Sequence, residues 1–311
     1  MLQFHRFITN RMFMLRQILA LIVCLPLVAQ AGLFETKQVD FSLYDTPLYD
    51  QIVLRIKANI APRLGEGPLK HDRYFIIPFA YQDKGNHPEF SHSFISFIRV
   101  FATNKPPKLT PGLPTQGKYR GWEFEAFTIS WLPADFLTNP HLCVFDGPES
   151  RLFPKLNKCP VSPGHNFNLA ETLKLAVDAK NAVAMWGPYE VAKPGFDLGV
   201  KRKELLDRGA IKYRADDRLY RKDKVVVSCF HAMAGLDELY PSGGLFGTGF
   251  MMWGFNGTAR VLIEYNAQAH DKKLLLSPVD VKKDRYCWVY APTRNGPVPY
   301  NPVKLASIYH M

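Results

Sequence analysis

Residues 225–236 read VVVSCFHAMAGL. Three valines run into Ser228 and Cys229, and a segment of helical composition follows. A cysteine at a strand-to-helix junction is suited to nucleophilic chemistry, because unpaired backbone N–H groups at a helix start favour the thiolate over the thiol. Such a nucleophile needs a base within hydrogen-bond reach and a third group that orients the base. The same cysteine is equally able to form half of a disulfide, and the two readings exclude each other.

His92 is the candidate base. It opens the strand-like run SHSFISFIRVF (91–101), where Ser91 and Ser93 flank it with polar side chains. A lone strand histidine is more often structural than catalytic, so its weight depends on what it meets. Glu125, inside FEAFT, is the candidate orienting acid; buried among aromatic neighbours it requires a partner, whereas an outward position in an alternating strand leaves it solvated. His231 follows Cys229 by two residues, a spacing that turns the two side chains to different faces of a helix. It is expected beside the site or in solvent rather than as the base. His71, His87, His141, His165 and His270 show no metal-ligand spacing, so no metal site is expected. GGLFGTG (244–249 with its preceding glycine) lacks the Lys-Ser/Thr ending of a phosphate loop, no G-x-S-x-G elbow is present, and no cofactor is expected.

The elements that must position these residues are legible from periodicity. In DTPLYDQIVLRIKANIA (45–61) Leu48, Ile52, Ile56 and Ile60 recur at i+4 and predict a helix capped by Thr46, with Pro47 in its first turn and Pro62 and Gly65 ending it. Strands are predicted over 72–79, 91–101 and 121–132, with His92, Phe94, Ile98 and Val100 on one face. A helix capped by Asn168, with Glu171 completing a capping box, is predicted over 168–186. A shorter basic helix (197–208), a strand at 210–215, a helix from Cys229 to about Leu239 and strands at 259–265 and 285–291 complete the plan. The fold class expected is α+β: an antiparallel sheet packed with helices in one domain over 32–311, with its core at 70–291 and an irregular insertion at 133–166.

The chain is 311 residues long, 47% hydrophobic and 22% charged, which is ordinary globular composition. Residues 14–31, MLRQILALIVCLPLVAQA, combine a basic start, a short apolar stretch and Ala29-Gln30-Ala31, the pattern of a secretory signal peptide over 1–31. Export to a periplasm or beyond the cell is the expected outcome, with no transmembrane span after cleavage. The net charge of +11 then favours contact with anionic wall polymer, lipid head groups or acidic peptide over nucleic acid. Outside the cytosol, Cys143 and Cys159, close in a loop rich in proline and glycine, are expected to bridge, contributing roughly 3 kcal/mol. Cys229 and Cys287 form the possible second pair.

Taken together, HSFISFIRV, WEFEAFTISWL, WGPYEV and VVSCFHAMAGL resemble, in that order, segments of the circularly permuted papain-like hydrolases. These are the permuted branch of the NlpC/P60 superfamily, which includes lecithin retinol acyltransferase-like proteins. The resemblance covers most of residues 70–240. It implies Cys229 as nucleophile, His92 as base and Glu125 as orienter, with Tyr189, Ser228 and His231 lining the substrate site. Ser228 stands where the related segment often carries asparagine. What the resemblance implies about activity is thiol-based cleavage or transfer at an amide or ester bond, of cell-wall peptide first and of acyl or lipid substrates second. The alternative is a secreted binding or structural protein, with Cys229 in a disulfide or a degenerate site.

Overall fold

The computed structural model describes residues 47–85, 91–104, 107–111, 113, 115–138, 161–214, 226–233, 254–259, 273–280, 284 and 288–300. All belong to one compact unit, Phe41–Met311. The signal-peptide region, the helix cap at Thr46, Cys143, Cys159, Cys287, the glycine-rich loop 241–249 and residues 260–265 lie outside the described residues.

The architecture is α+β and mostly antiparallel. Helix α1 (Pro47–Leu64) presents Leu48, Ile52, Ile56 and Ile60 to the core, the i+4 row read from the sequence. Pro62 sits within its last turn, and Gly65, at φ 75°, reverses the chain where a side chain would be strained. Strands β1 (Arg73–Gln82), β2 (His92–Val100), β3 (Thr115–Tyr119) and β4 (Trp122–Ile129) follow, and β5 (Trp131–Pro133) and β6 (Ser162–Asn166) leave the main sheet. Helix α2 (Leu169–Asp178) then begins at a complete capping box: the Glu171 backbone N–H donates to Asn168 Oδ1 at 2.9 Å and the Asn168 N–H to Glu171 Oε2 at 2.8 Å.

The expected helix 168–186 is too long. It ends at Asp178, Lys180 turns at φ 56°, and Ala182–Met185 forms a wholly buried strand, β7. Ala-Val-Ala-Met has no period that distinguishes a buried strand from a buried helix segment. Its place between β1 and β11 (Trp288–Ala291), both antiparallel to it, decides the matter. Beyond it lie β8 (Tyr189–Val191), α3 (Lys193–Asp207), β9 (Lys212–Tyr213), β10 (Val226–Val227), the one-turn helix α4 (Cys229–Ala232), α5 (Gly254–Thr258) and β12 (Val298–Tyr300).

The main sheet runs β12-β11-β7-β1-β2-β4-β3, with β8 also paired to β1; a small sheet runs β10-β9-β6-β5. Alternation along the central strands gives the main sheet two buried faces. Phe75, Ile77, Phe79, Tyr81, Phe94, Ile98 and Val100 pack with α1 and α2. Tyr74, Ile76, Ala80, Ile95, Phe97, Phe127 and Ile129 pack with Phe196 of α3 and with α4. Helix α3 approaches closely because Gly199 faces Phe97: a Cβ there would stand 2.4 Å from the ring.

Candidate active site around His92

His92 begins β2, opposite Tyr81 of β1, with its ring centroid 5.2 Å from that of Tyr81 and 5.6 Å from Phe94. It is only 2% exposed. Its Nε2 lies 2.9 Å from the hydroxyl of Ser130, the buried residue between β4 and β5. Ser130 Oγ in turn lies 2.8 Å from Thr172 Oγ1 on α2, and Thr172 Oγ1 lies 2.8 Å from the carbonyl oxygen of Asn168.

Thr172 Oγ1 is placed to donate both to the Asn168 carbonyl and to Ser130 Oγ, so its single proton has two acceptors. Where that proton goes to Asn168, Ser130 donates to Thr172 and accepts from His92, and the imidazole carries its proton on Nε2. In that order Nδ1 is a bare lone pair; the atom is buried with no hydrogen-bond partner. Burial also pushes the His92 pKa down to about 3, so the ring is neutral at ordinary pH. A neutral imidazole with one nitrogen anchored and the other open has the form of a positioned general base.

Cys229 is the first residue of α4 and follows Ser228, which stands at the cap position. It is 9% exposed. Helix α4 packs against β2, β5 and β10. The hydroxyl of Tyr81, cross-strand partner of His92, is held above the ordinary tyrosine range chiefly by burial, with a smaller contribution that a Cys229 thiolate would make. His92 Nδ1 makes no hydrogen bond to the Cys229 sulfur. The described helix is a single turn, so the dipole contribution expected at Cys229 is small, since the macrodipole sums over aligned peptide units. His231 is not in solvent: it is buried, with Nδ1 3.3 Å from Ser228 Oγ.

Glu125 does not orient His92. Strand register sets Glu125 opposite Arg99, seven residues along β2 from His92, a span of about 23 Å at the usual strand rise. Its carboxylate is wholly buried and already engaged: Arg99 Nη1 donates to Oε1 at 3.0 Å, Thr110 Oγ1 to Oε1 at 2.7 Å and the Thr110 N–H to Oε2 at 2.8 Å. Arg99 also binds Asp72 through Nε and Nη2, at 3.0 and 2.7 Å. Tyr189 pairs with Ile76, five residues along β1 from Tyr81, about 17 Å away by the same rise, so it stands apart from His92.

Tyr81, Ser130 and Thr172 are the site residues that sequence reasoning missed. Ser130 offered one signal, a small hydroxyl between Ile129 and Trp131 in an otherwise apolar run. Among the described residues no group of three or more His, Cys, Asp or Glu side chains is arranged to hold a metal ion. None of their helices is long and apolar enough to cross a membrane. No family model, curated protein or solved structure matches this chain.

Proposed function

We propose that this protein is a thiol hydrolase or acyltransferase acting on an amide or ester bond, with Cys229 as nucleophile and His92 as base. In this reading Ser130 takes the orienting role for which Glu125 was the sequence candidate. The observation that carries it is the His92 imidazole, anchored through Nε2 at 2.9 Å and without a hydrogen-bond partner at its buried Nδ1, on a strand against which the Cys229 helix packs. The motif order of the permuted papain-like hydrolases supports the same assignment. We extend the proposal to a permuted NlpC/P60-type core and to an exported protein whose substrate is cell-wall peptide or an acyl or lipid group.

The chemistry runs as follows. Nδ1 takes the thiol proton, and the sulfur attacks the carbonyl carbon to give a tetrahedral oxyanion. Collapse expels the amine or alcohol, which takes the proton from Nδ1, and leaves an acyl-thioester. Water or a second acceptor, deprotonated by the same nitrogen, releases the acyl group and restores the thiol.

One observation favours a second, non-catalytic reading. With His92 near 3, transfer of a proton from a thiol of ordinary pKa, about 8.5, is uphill by roughly five pH units. The resting pair is therefore neutral rather than a thiolate–imidazolium pair. A site that never overcomes this gap is a binding or structural cluster.

Alkylation by iodoacetamide, mapped by mass spectrometry on the non-reduced protein, separates the readings when combined with turnover of p-nitrophenyl butyrate. The enzyme reading expects one adduct, at Cys229, together with turnover lost in Cys229→Ala and reduced at least tenfold in His92→Gln. A Cys229 bridged to Cys287, or turnover unchanged in Cys229→Ala, removes the thiol from the mechanism.

A further inference from the structure

On the α1 side of the sheet a cavity of about 530 Å³ opens between α1 and strands β2, β3 and β4. Its walls are apolar: Ile56 and Ile60 from α1, Ile98 from β2, Trp122 and Phe124 from β4. Trp122 and Phe124 are only partly buried, large aromatic surfaces left open beside a filled core. At its base Ser96 and Thr128 bond to each other at 2.8 Å, which satisfies much of their polarity internally. A pocket of this size with apolar walls and few polar groups is suited to a small amphiphile.

Its electrostatics select the head group. Among the described residues lining the cavity, Lys57 is the one charged side chain. Its Nζ stands over two lining aromatics, 5.5 Å from the Tyr119 ring centroid and 5.9 Å from that of Phe124. The rings hold the ammonium by cation–π attraction, and no carboxylate among the described residues lies within ion-pair distance of it. An apolar cavity with one such cation is complementary to a chain ending in one anion, and it excludes a cationic head.

We propose that this cavity binds a free single-chain anionic amphiphile, with the alkyl chain against Ile56, Ile60, Ile98 and Phe124 and the anionic head on Lys57. The site is separate from the thiol site and does not rest on the thiol chemistry. It gives an exported basic protein a means of holding a fatty-acid-like molecule.

Titration calorimetry of the full chain with octanoate, decanoate and dodecanoate, each below its micelle concentration, tests this. Affinity is expected to tighten about fourfold for each added methylene that the cavity buries, and to exceed that of the 1-alkanol and the alkyltrimethylammonium ion of equal length. Lys57→Met is expected to erase the carboxylate's advantage over the alcohol, a loss of about three- to fivefold at a half-buried charge. Ala126→Trp fills the cavity from β4 and Val53→Trp from α1; whichever folds, judged by circular dichroism, is expected to weaken dodecanoate at least tenfold. Cys229→Ala is expected to bind as the unaltered chain does, which keeps this proposal distinguishable from the thiol reading. No saturable binding of dodecanoate, equal affinity in the filled variant, or equal affinity for the trimethylammonium ion overturns it.

Discussion

The two ends of strand β2 carry buried polar residues that solve the same problem in opposite ways. At the Arg99 end, Glu125 loses all contact with water but gains an arginine, a hydroxyl and a backbone N–H. Arg99 is shared with Asp72, whose other oxygen takes the Ala102 N–H at 2.8 Å. Every charge there has a partner, as burial of charge demands. At the His92 end the group is neutral, only one ring nitrogen is bonded, and the other is left open. A closed network of this kind holds the fold; a deliberately incomplete one is where chemistry is sought.

The widest contrast comes from opening the closed end. Arg99→Met leaves Glu125 and Asp72 buried without their cation, and a loss of about 3–5 kcal/mol in urea unfolding at neutral pH is expected. A loss under about 1 kcal/mol would make the ion pair incidental and dissolve the distinction between the ends.

Next comes the anchor of the imidazole. Ser130→Ala leaves the buried His92 Nε2 without its hydrogen-bond partner, and about 1–3 kcal/mol of stability is expected to go with it. Thr172→Val breaks only the second link and should cost less. If Ser130 positions the base, Ser130→Ala also slows iodoacetamide modification of Cys229 and shifts its pH profile. An unaltered profile would leave Ser130 a purely structural contact.

Acid sharpens the comparison further. The folded-state pKa of His92, about 3, lies below the unfolded value of about 6.5. In that window the unfolded chain binds the extra proton, so this contribution is complete above about 6.5 and declines as pH falls toward 3. The slope is about 1.4 kcal/mol per pH unit. His92→Phe should flatten that part of the stability-versus-pH curve; an unchanged slope would mean that the ring is not the group titrating.

The smallest effect is at the origin of the hydrogen-bond chain. Asn168→Ala removes the α2 cap but keeps the carbonyl that accepts from Thr172, so about 1 kcal/mol of stability should be lost with the His92 tautomer unchanged. Nitrogen-15 NMR shifts of the His92 ring check the second half of that statement. A proton found on Nδ1 in the unaltered chain would reverse the assigned order.

Much of this was legible in the sequence where the pattern was long. The i+4 row of α1, the strand beginning at His92 and the capping box of α2 follow from residue types at fixed spacing, and all three stand in the structure. The strand β7 was not legible, because four small or flexible apolar residues fit a buried helix as well as a buried strand. The third member of the site was misread for a related reason. Glu125 was the candidate read from this run and Ser130, five residues on, was not; register sets Glu125 opposite Arg99 and leaves Ser130 beside His92.

The sequence by itself determined which residue types were available: a thiol at a strand-to-helix junction, a histidine flanked by serines, a glutamate among aromatics. Local periodicity also set the face that His92 shares with Phe94, Ile98 and Val100, since side-chain alternation is a property of a single strand, but not the side to which Glu125 points. Which pairs meet was decided only by the tertiary structure. Pairing between β2 and β4 brings together residues, from Ile95 and Ile129 to Val100 and Phe124, that are distant in sequence, and sliding one strand against the other by a few residues exchanges every partner at little cost in local preference. That register is fixed by packing on both faces of the sheet, and it gives Glu125 to Arg99 and Ser130 to His92.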